Sequence, residues 1–250
     1  MSPFWIALQF LTTVPTPKIN SYRDQQMGRS VLYYPLVGLL IGLILWASAH
    51  IITQASADMT YGELLSAALV LTVWVALTGA LHIDGLADCA DAWMGGLGDK
   101  DKTFAILKDP TSGPIAVTTI CLALLLKWLC LSVLLASSHA IYLVWVPLLS
   151  RGGILVFFLS LPYVRDQGIA ATMARILPRK TAIGLCGLLG ASLLVLNTLG
   201  VVLLIALSLL FLFFRRHLLK RLGGFTGDTL GAWVECSELL LLLCVVFTVV

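Results

Sequence analysis

The 250-residue sequence predicts an all-α fold, a single-domain bundle of about seven membrane-spanning helices. Three observations lead there. The chain is 59% hydrophobic and 12% charged, with a mean hydropathy of +0.98, whereas soluble domains carry about 45–50% apolar and about 25% charged residues. It contains several uncharged runs at or beyond the roughly 20 residues that cross a bilayer. Its cations segregate into alternate loops. A lipid environment allows helices or closed barrels, and nothing in the chain alternates with period two.

The first residues, MSPFWIALQFLTTVPTPK, have no basic region and no small-residue cleavage signature, so they read as an interfacial helix ending at Pro15 and Pro17, not a removable signal. Residues 1–30 form this interfacial segment and 31–250 the bundle. Spans are predicted at 33–53 and 64–83, then at 115–135 and 140–162, which carry Lys127 and Arg151. From 182 to 214 no charge occurs, about 50 Å as one helix against a hydrocarbon core of roughly 30 Å. This stretch is either one tilted helix or two short ones, and Asn197, Thr198 and Gly200 supply turn chemistry at its middle. The last span is predicted at 229–250.

Charge decides between the two. Loops holding Lys18/Arg23/Arg29, Lys100/Lys102/Lys108, Arg165/Arg175/Arg179/Lys180 and Arg215/Arg216/Lys220/Arg221 contain fourteen of the sixteen Lys and Arg residues. The loops around Asp58, Ser138 and Thr198 contain none. That pattern requires 182–214 to turn back, with the N-terminus in the cytosol, the C-terminus outside, and cytoplasmic loops at 83–113, 163–181 and 215–230. Gly38 and Gly42 form a GxxxG able to bring helices close. The formal charge of +3 is too small and dispersed for nucleic-acid binding. The six cysteines include no CxxC pair, so neither a disulfide framework nor a zinc site is expected.

Two segments carry chemistry. In HIDGLADCAD (82–91), Asp84, Asp88 and Asp91 stand at i, i+4 and i+7, within about 60° of one another on a helix. Like charges so placed repel, and the oxygen-donor set suits Mg²⁺ or Mn²⁺ completed by water and phosphate oxygens; a solvated acidic helix end is the plainer reading. His82 falls about 200° from Asp84 and reads as structural. In GGFTGDTLG (223–231), glycines precede a predicted helix. The loop suits either a phosphate cradle, through Gly224, Thr226 and Gly227, or a helix-entry turn with Asp228 or Thr229 as N-cap. Asp109 and Lys108 lie on the same predicted side. Within the spans, Glu235 and Glu238 share one helix face, Arg151 is placed to pair with an acidic helix, and Lys127 can snorkel or neutralise a carboxylate. For each of these, substrate contact and a structural role both stay open.

Together these segments resemble the cobalamin synthase family, the adenosylcobinamide-GDP ribazoletransferases. The resemblance runs through QFLTTVPTP (9–17), PLVG (35–38), LHIDGLADCAD (81–91), Asp109, Gly113, SRG (150–152) and GGFTGDTLGA (223–232), followed by Glu235 and Glu238. It implies transfer from adenosylcobinamide-GDP to α-ribazole or its 5′-phosphate with release of GMP, Mg²⁺ as cofactor, and a bacterial inner-membrane location with the site facing the cytoplasm. Asp84, Asp88 and Asp91 are the implied metal ligands, with Asp109 and Asp228 as further ligands or general base. Lys108, Arg151, Glu235, Glu238 and the 223–231 loop are the substrate-binding candidates. Membrane lipid is a further partner, and assembly as a homo-oligomer is left open. The chain departs from the family pattern at Thr13, where Arg is usual, and at Pro110, in a run usually Arg-Asp-Ser; Lys18 or Lys108 can supply the missing charge.

Two other classes compete. A CDP-alcohol phosphotransferase also places aspartates on membrane helices, but its motif spaces the later aspartates by four and puts Ala-Arg after the DG element. A cation transporter expects carboxylates near the bilayer midplane on several helices.

Overall fold

A computed structural model describes residues 2–17, 23–165 and 168–250; Lys18 lies outside them. Ser2 starts α1 (Pro3–Leu11) by accepting the N–H of Phe4 at 3.3 Å, with Pro3 preset for the first turn. The chain then runs non-helically through Pro15 to Pro17. Helix α2 (Asp24–Ser30) continues through a 3₁₀ turn into α3 (Tyr34–Ala55), whose Gly38 and Gly42 lie directly on the backbone of Pro147 and Val144. The GxxxG thus seats α3 against α8 (Trp145–Ser160).

Helix α4 (Gly62–Thr78) stops short of the predicted boundary at 83. Gly79 and Ala80 take φ of +60° and +57°, and the chain bends by 87° into α5 (Leu81–Gly95). Thr13 holds this corner, donating its hydroxyl to the carbonyl of Ala76 at 2.9 Å and its N–H to that of Leu77 at 2.8 Å. Both carbonyls belong to the last turn of α4, where helical donors run out; that of Ala76 also accepts the Gly79 N–H at 3.3 Å. As a result α5 lies across the end of the bundle, outside the spanning segments, and the aspartate stripe is presented there. Helix α6 (Lys100–Ile106) follows, then α7 (Pro114–Ala136), and a 3₁₀ turn leads into α8.

After the short α9 (Ile169–Ile176), residues Arg179–Arg221 form one helical stretch of 43 residues by length and composition. It doubles back. Helix α10 (Arg179–Ser192) and a 3₁₀ turn end at Asn197, where φ is +51°, and α11 (Asn197–Arg221) returns. Gly200 sits against the carbonyl of Leu193, which a straight helix would place about 10 Å away. Leu189 and Leu207 accordingly line one cavity between the two arms. With α12 (Gly227–Val249), five stretches among the described residues are long and apolar enough to cross a membrane, or six with the bent α4–α5 pair, and the reversal at Asn197 divides the longest into two arms, in line with about seven crossings. Thirteen of the fourteen loop cations lie among the described residues, and the reversal at Asn197 brings the 215–221 cluster back to the end that carries α5 and α6. Arg221 confirms the return: its guanidinium donates to Thr103 Oγ1 at 2.9 Å and to the Trp93 carbonyl at 3.0 Å, tying the end of α11 to α6 and α5.

Candidate active site

The site is made by two helices crossing at glycines. A Cβ on Gly85 of α5 would meet the Asp228 carbonyl at 2.7 Å and Gly231 Cα at 3.0 Å, and one on Gly231 of α12 would meet Gly85 Cα at 3.1 Å. Only hydrogens at both positions allow this approach, which puts the exposed Asp84 and the half-buried Asp88 beside Asp228 in the first turn of α12. The glycines of the two motifs thus serve helix packing, a role spacing alone did not reveal.

The N-terminus of α12 is fixed by Thr226, not by Asp228 or Thr229. Thr226 Oγ1 accepts the N–H of Thr229 at 3.2 Å, and Thr229 Oγ1 accepts that of Thr226 at 2.9 Å, a reciprocal cap. Upstream, Phe225 donates its N–H to Pro162 at 2.9 Å and accepts from Val164 at 3.1 Å, with its ring buried among Phe157, Phe158 and Tyr163. Gly224 packs against the Pro162 carbonyl. Gly224 and Thr226 are therefore buried and committed to the turn, while Gly227 is exposed at the helix start, where N–H groups have no helical acceptor.

This pairing with 162–164 also delivers Arg165, whose guanidinium meets Asp228 at 2.6 Å with both side chains partly buried. Sequence reading counted Arg165 only as a loop cation; its proximity to Asp228 spans 63 residues and left no local signal. Among the described residues Asp88 has no such partner. Burial, and then the negative charges of Asp84, Asp228 and Asp91, push its carboxyl up to about 6 against the opposing pull of Arg165.

Asp91 is occupied differently. Its two oxygens accept the N–H groups of Gly113, at 2.5 Å, and Ala116, at 2.9 Å, so it caps α7. Among the described residues no three His, Cys, Asp or Glu side chains stand in metal-ligating geometry. The arrangement still fits a divalent cation of the Mg²⁺ type, which is held by one or two carboxylates and completed by substrate phosphates and water. Asp84 and Asp88 would supply the carboxylates, and the unrelieved repulsion at Asp88 is what such a cation would remove. Asp109 and Lys108 are not drawn in: both are exposed on the loop after α6, and hydrogen bonds from the Thr111 N–H and hydroxyl hold the Asp109 carboxyl below its ordinary range.

Deeper in the bundle the remaining candidates meet one another. Lys127 of α7 donates to Glu235 at 2.7 Å and Glu238 at 2.6 Å, Arg151 of α8 pairs with Glu238, and the Lys127 ammonium lies 4.8 Å from the Trp74 ring. All four charges are at most 5% exposed. Glu235 and Glu238 lie about 10 and 15 Å along α12 from Asp228. The quartet is neutral and clamps α7, α8 and α12 together.

Residues 3–246 match the model of the cobalamin-5-phosphate synthase family. The chain belongs to this family. It is 50% identical over 246 residues to the adenosylcobinamide-GDP ribazoletransferase of Pseudomonas putida strain W619, covering 97% of this chain and 98% of that one. To the proteins of the same name from Pseudomonas entomophila strain L48 and Stutzerimonas stutzeri strain A1501 it is 48% and 47% identical, each comparison covering at least 95% of both chains. No solved structure matches the chain. Family membership covers nearly the whole polypeptide, so the glycine crossing and the charged quartet lie within the region matched.

Proposed function

We propose that the protein transfers the cobinamide-bearing phosphoryl group of adenosylcobinamide-GDP to a ribose hydroxyl of α-ribazole or its 5′-phosphate. A bond forms between the hydroxyl oxygen and the phosphorus that carries cobinamide. The bond from that phosphorus to the bridging oxygen breaks, and GMP leaves with the electron pair. The observation that carries this reading is the crossing at Gly85 and Gly231, which gathers Asp84, Asp88 and the Asp228–Arg165 pair at the basic end of the bundle. The names of the relatives supply donor and acceptor.

In this reading Arg165 and the first N–H groups of α12 at Gly227 bind the diphosphate. Asp84 or Asp228 takes the proton of the attacking hydroxyl. Mg²⁺, held by Asp84 and Asp88, supplies positive charge to the phosphate oxygens when bound. Asp91 positions the stripe by anchoring α5 to α7. The enzyme sits in the bacterial inner membrane with this end in the cytoplasm, where the basic loops belong. A cation pathway is not favoured, because the deep carboxylates Glu235 and Glu238 are already neutralised by Lys127 and Arg151.

The test is an assay of the detergent-purified protein with adenosylcobinamide-GDP, α-ribazole and Mg²⁺, following the corrinoid product and GMP by chromatography with an EDTA control. Metal-dependent appearance of both in equal amounts is expected. Folded protein that yields neither product, or that turns over a CDP-alcohol instead, overturns the reading.

A further inference from the structure

Beside the carboxylates lies a cavity of about 210 Å³. Asp84 and Asp228 line it together with Phe10 of α1, Tyr34 of α3, Phe158 of α8 and Met173 of α9, and His82 of α5 is a further polar side chain in its wall. Phe10 and Tyr34 are nearly parallel, at 14° with ring centroids 6.3 Å apart. The Tyr34 hydroxyl donates to Met173 Sδ at 3.4 Å, so the polar tip of this ring is taken up by a sulfur. Tyr34 and Met173 are at most 2% exposed, while Phe10 is 40% exposed. The cavity is thus a largely aromatic and aliphatic slot, with two carboxylates in its wall, between α5 and α12 and the short helices α1 and α9.

We propose that this slot holds the heteroaromatic base of the acceptor nucleoside, with its ribose toward Asp84 and Asp228; the assignment rests on the transferase reading above. Size excludes the macrocycle of the donor, because whole-ligand pockets run to about 300–1,000 Å³ and this one admits a two-ring base. Chemistry disfavours guanine there. With the ribose at Asp84 and Asp228, its carbonyl, ring nitrogens and amino group would lie against Phe10, Phe158 and Met173 with His82 as the polar side chain left to pair with, a penalty that unpaired polar groups pay on burial. A benzimidazole-type base, such as that of ribazole, has hydrocarbon edges and faces suited to stacking on Phe10 and to the Met173 thioether. The two substrates then approach from opposite sides, the base from the slot and the diphosphate from Arg165 and Gly227, with the carboxylates between them.

Two variants test this. Phe10→Ala removes a stacking face at an exposed position, and Ala170→Phe, on the α9 wall, fills the slot. Phe10→Ala is expected to raise KM for α-ribazole about tenfold, with KM for adenosylcobinamide-GDP unchanged within twofold. Ala170→Phe is expected to raise acceptor KM more strongly, again sparing the donor. A raised donor KM with normal acceptor KM would assign the slot to the donor, and unchanged values in both variants would remove it from the site; either result overturns the proposal. Equilibrium dialysis of α-ribazole against the protein without donor separates this from failure of the transferase reading. Binding to the parent protein lost in Ala170→Phe supports the slot even if no transfer occurs, and equal binding to both refutes it.

Discussion

Removing the Glu238 carboxylate while keeping its bulk, by Glu238→Leu, should destabilise the bundle without acting through substrate binding. Glu238 is fully buried and accepts from both Lys127 and Arg151, which are 3% and 0% exposed. The substitution changes the quartet from neutral to one net positive charge. Deleting one partner of a buried pair costs about 3–5 kcal/mol, mostly from the charge left uncompensated. That is a large share of a total stability of roughly 5–15 kcal/mol. The control is Lys127→Met with Glu235→Leu, which removes one charge of each sign and leaves the Arg151–Glu238 pair. Matched removal of this kind is close to neutral, although Glu238 then loses one donor, so a cost of about 0–2 kcal/mol is expected. Unfolding of the detergent-solubilised variants, followed by circular dichroism, compares the two. If Glu238→Leu keeps parental stability while KM for the donor rises, Glu238 contacts substrate and the clamp argument fails.

Three further outcomes follow from the site. Asp88→Asn should abolish turnover in a folded protein, whereas Asp91→Ala should lower stability by about 1 kcal/mol through loss of the α7 cap and reduce turnover less severely; equal and complete loss in both would make Asp91 a direct ligand. Gly85→Val should separate α5 from α12 at a cost of about 1–3 kcal/mol and eliminate activity, checked by thermal unfolding and product formation; an active variant would show that the close crossing is dispensable. Because the Asp88 carboxyl without metal is raised to about 6, its neutral form predominates below that pH and competes with a cation. Mg²⁺ affinity, measured by calorimetry, should therefore fall as pH drops through 6 and level off above it; affinity independent of pH between 5 and 7 would remove Asp88 from the ligand set.

What depends on period and on the sign of charge is legible from the residues alone. Uncharged runs of about 20 residues locate spans because the bilayer has a fixed thickness. The grouping of cations then forces 182–214 to reverse, and the structure makes that turn at Asn197. The i, i+4, i+7 spacing of Asp84, Asp88 and Asp91 puts them on one stripe of α5 whatever surrounds the helix. The tertiary structure alone decided what that stripe faces. Arg165 and Asp228 are 63 residues apart and the aromatic slot draws on α1, α3, α8 and α9, and nothing local records which partner a side chain meets. Gly85 has no evident role in its motif and Gly231 reads as part of a phosphate loop until their helices are laid across each other, when their missing side chains become the condition for contact. Asp91 looks equivalent to its two neighbours until Gly113 and Ala116 claim its oxygens. The deep charges differ in the same way: Lys127, Arg151, Glu235 and Glu238 are each costly in an apolar span, and only the packing of α7, α8 and α12 shows that they neutralise one another.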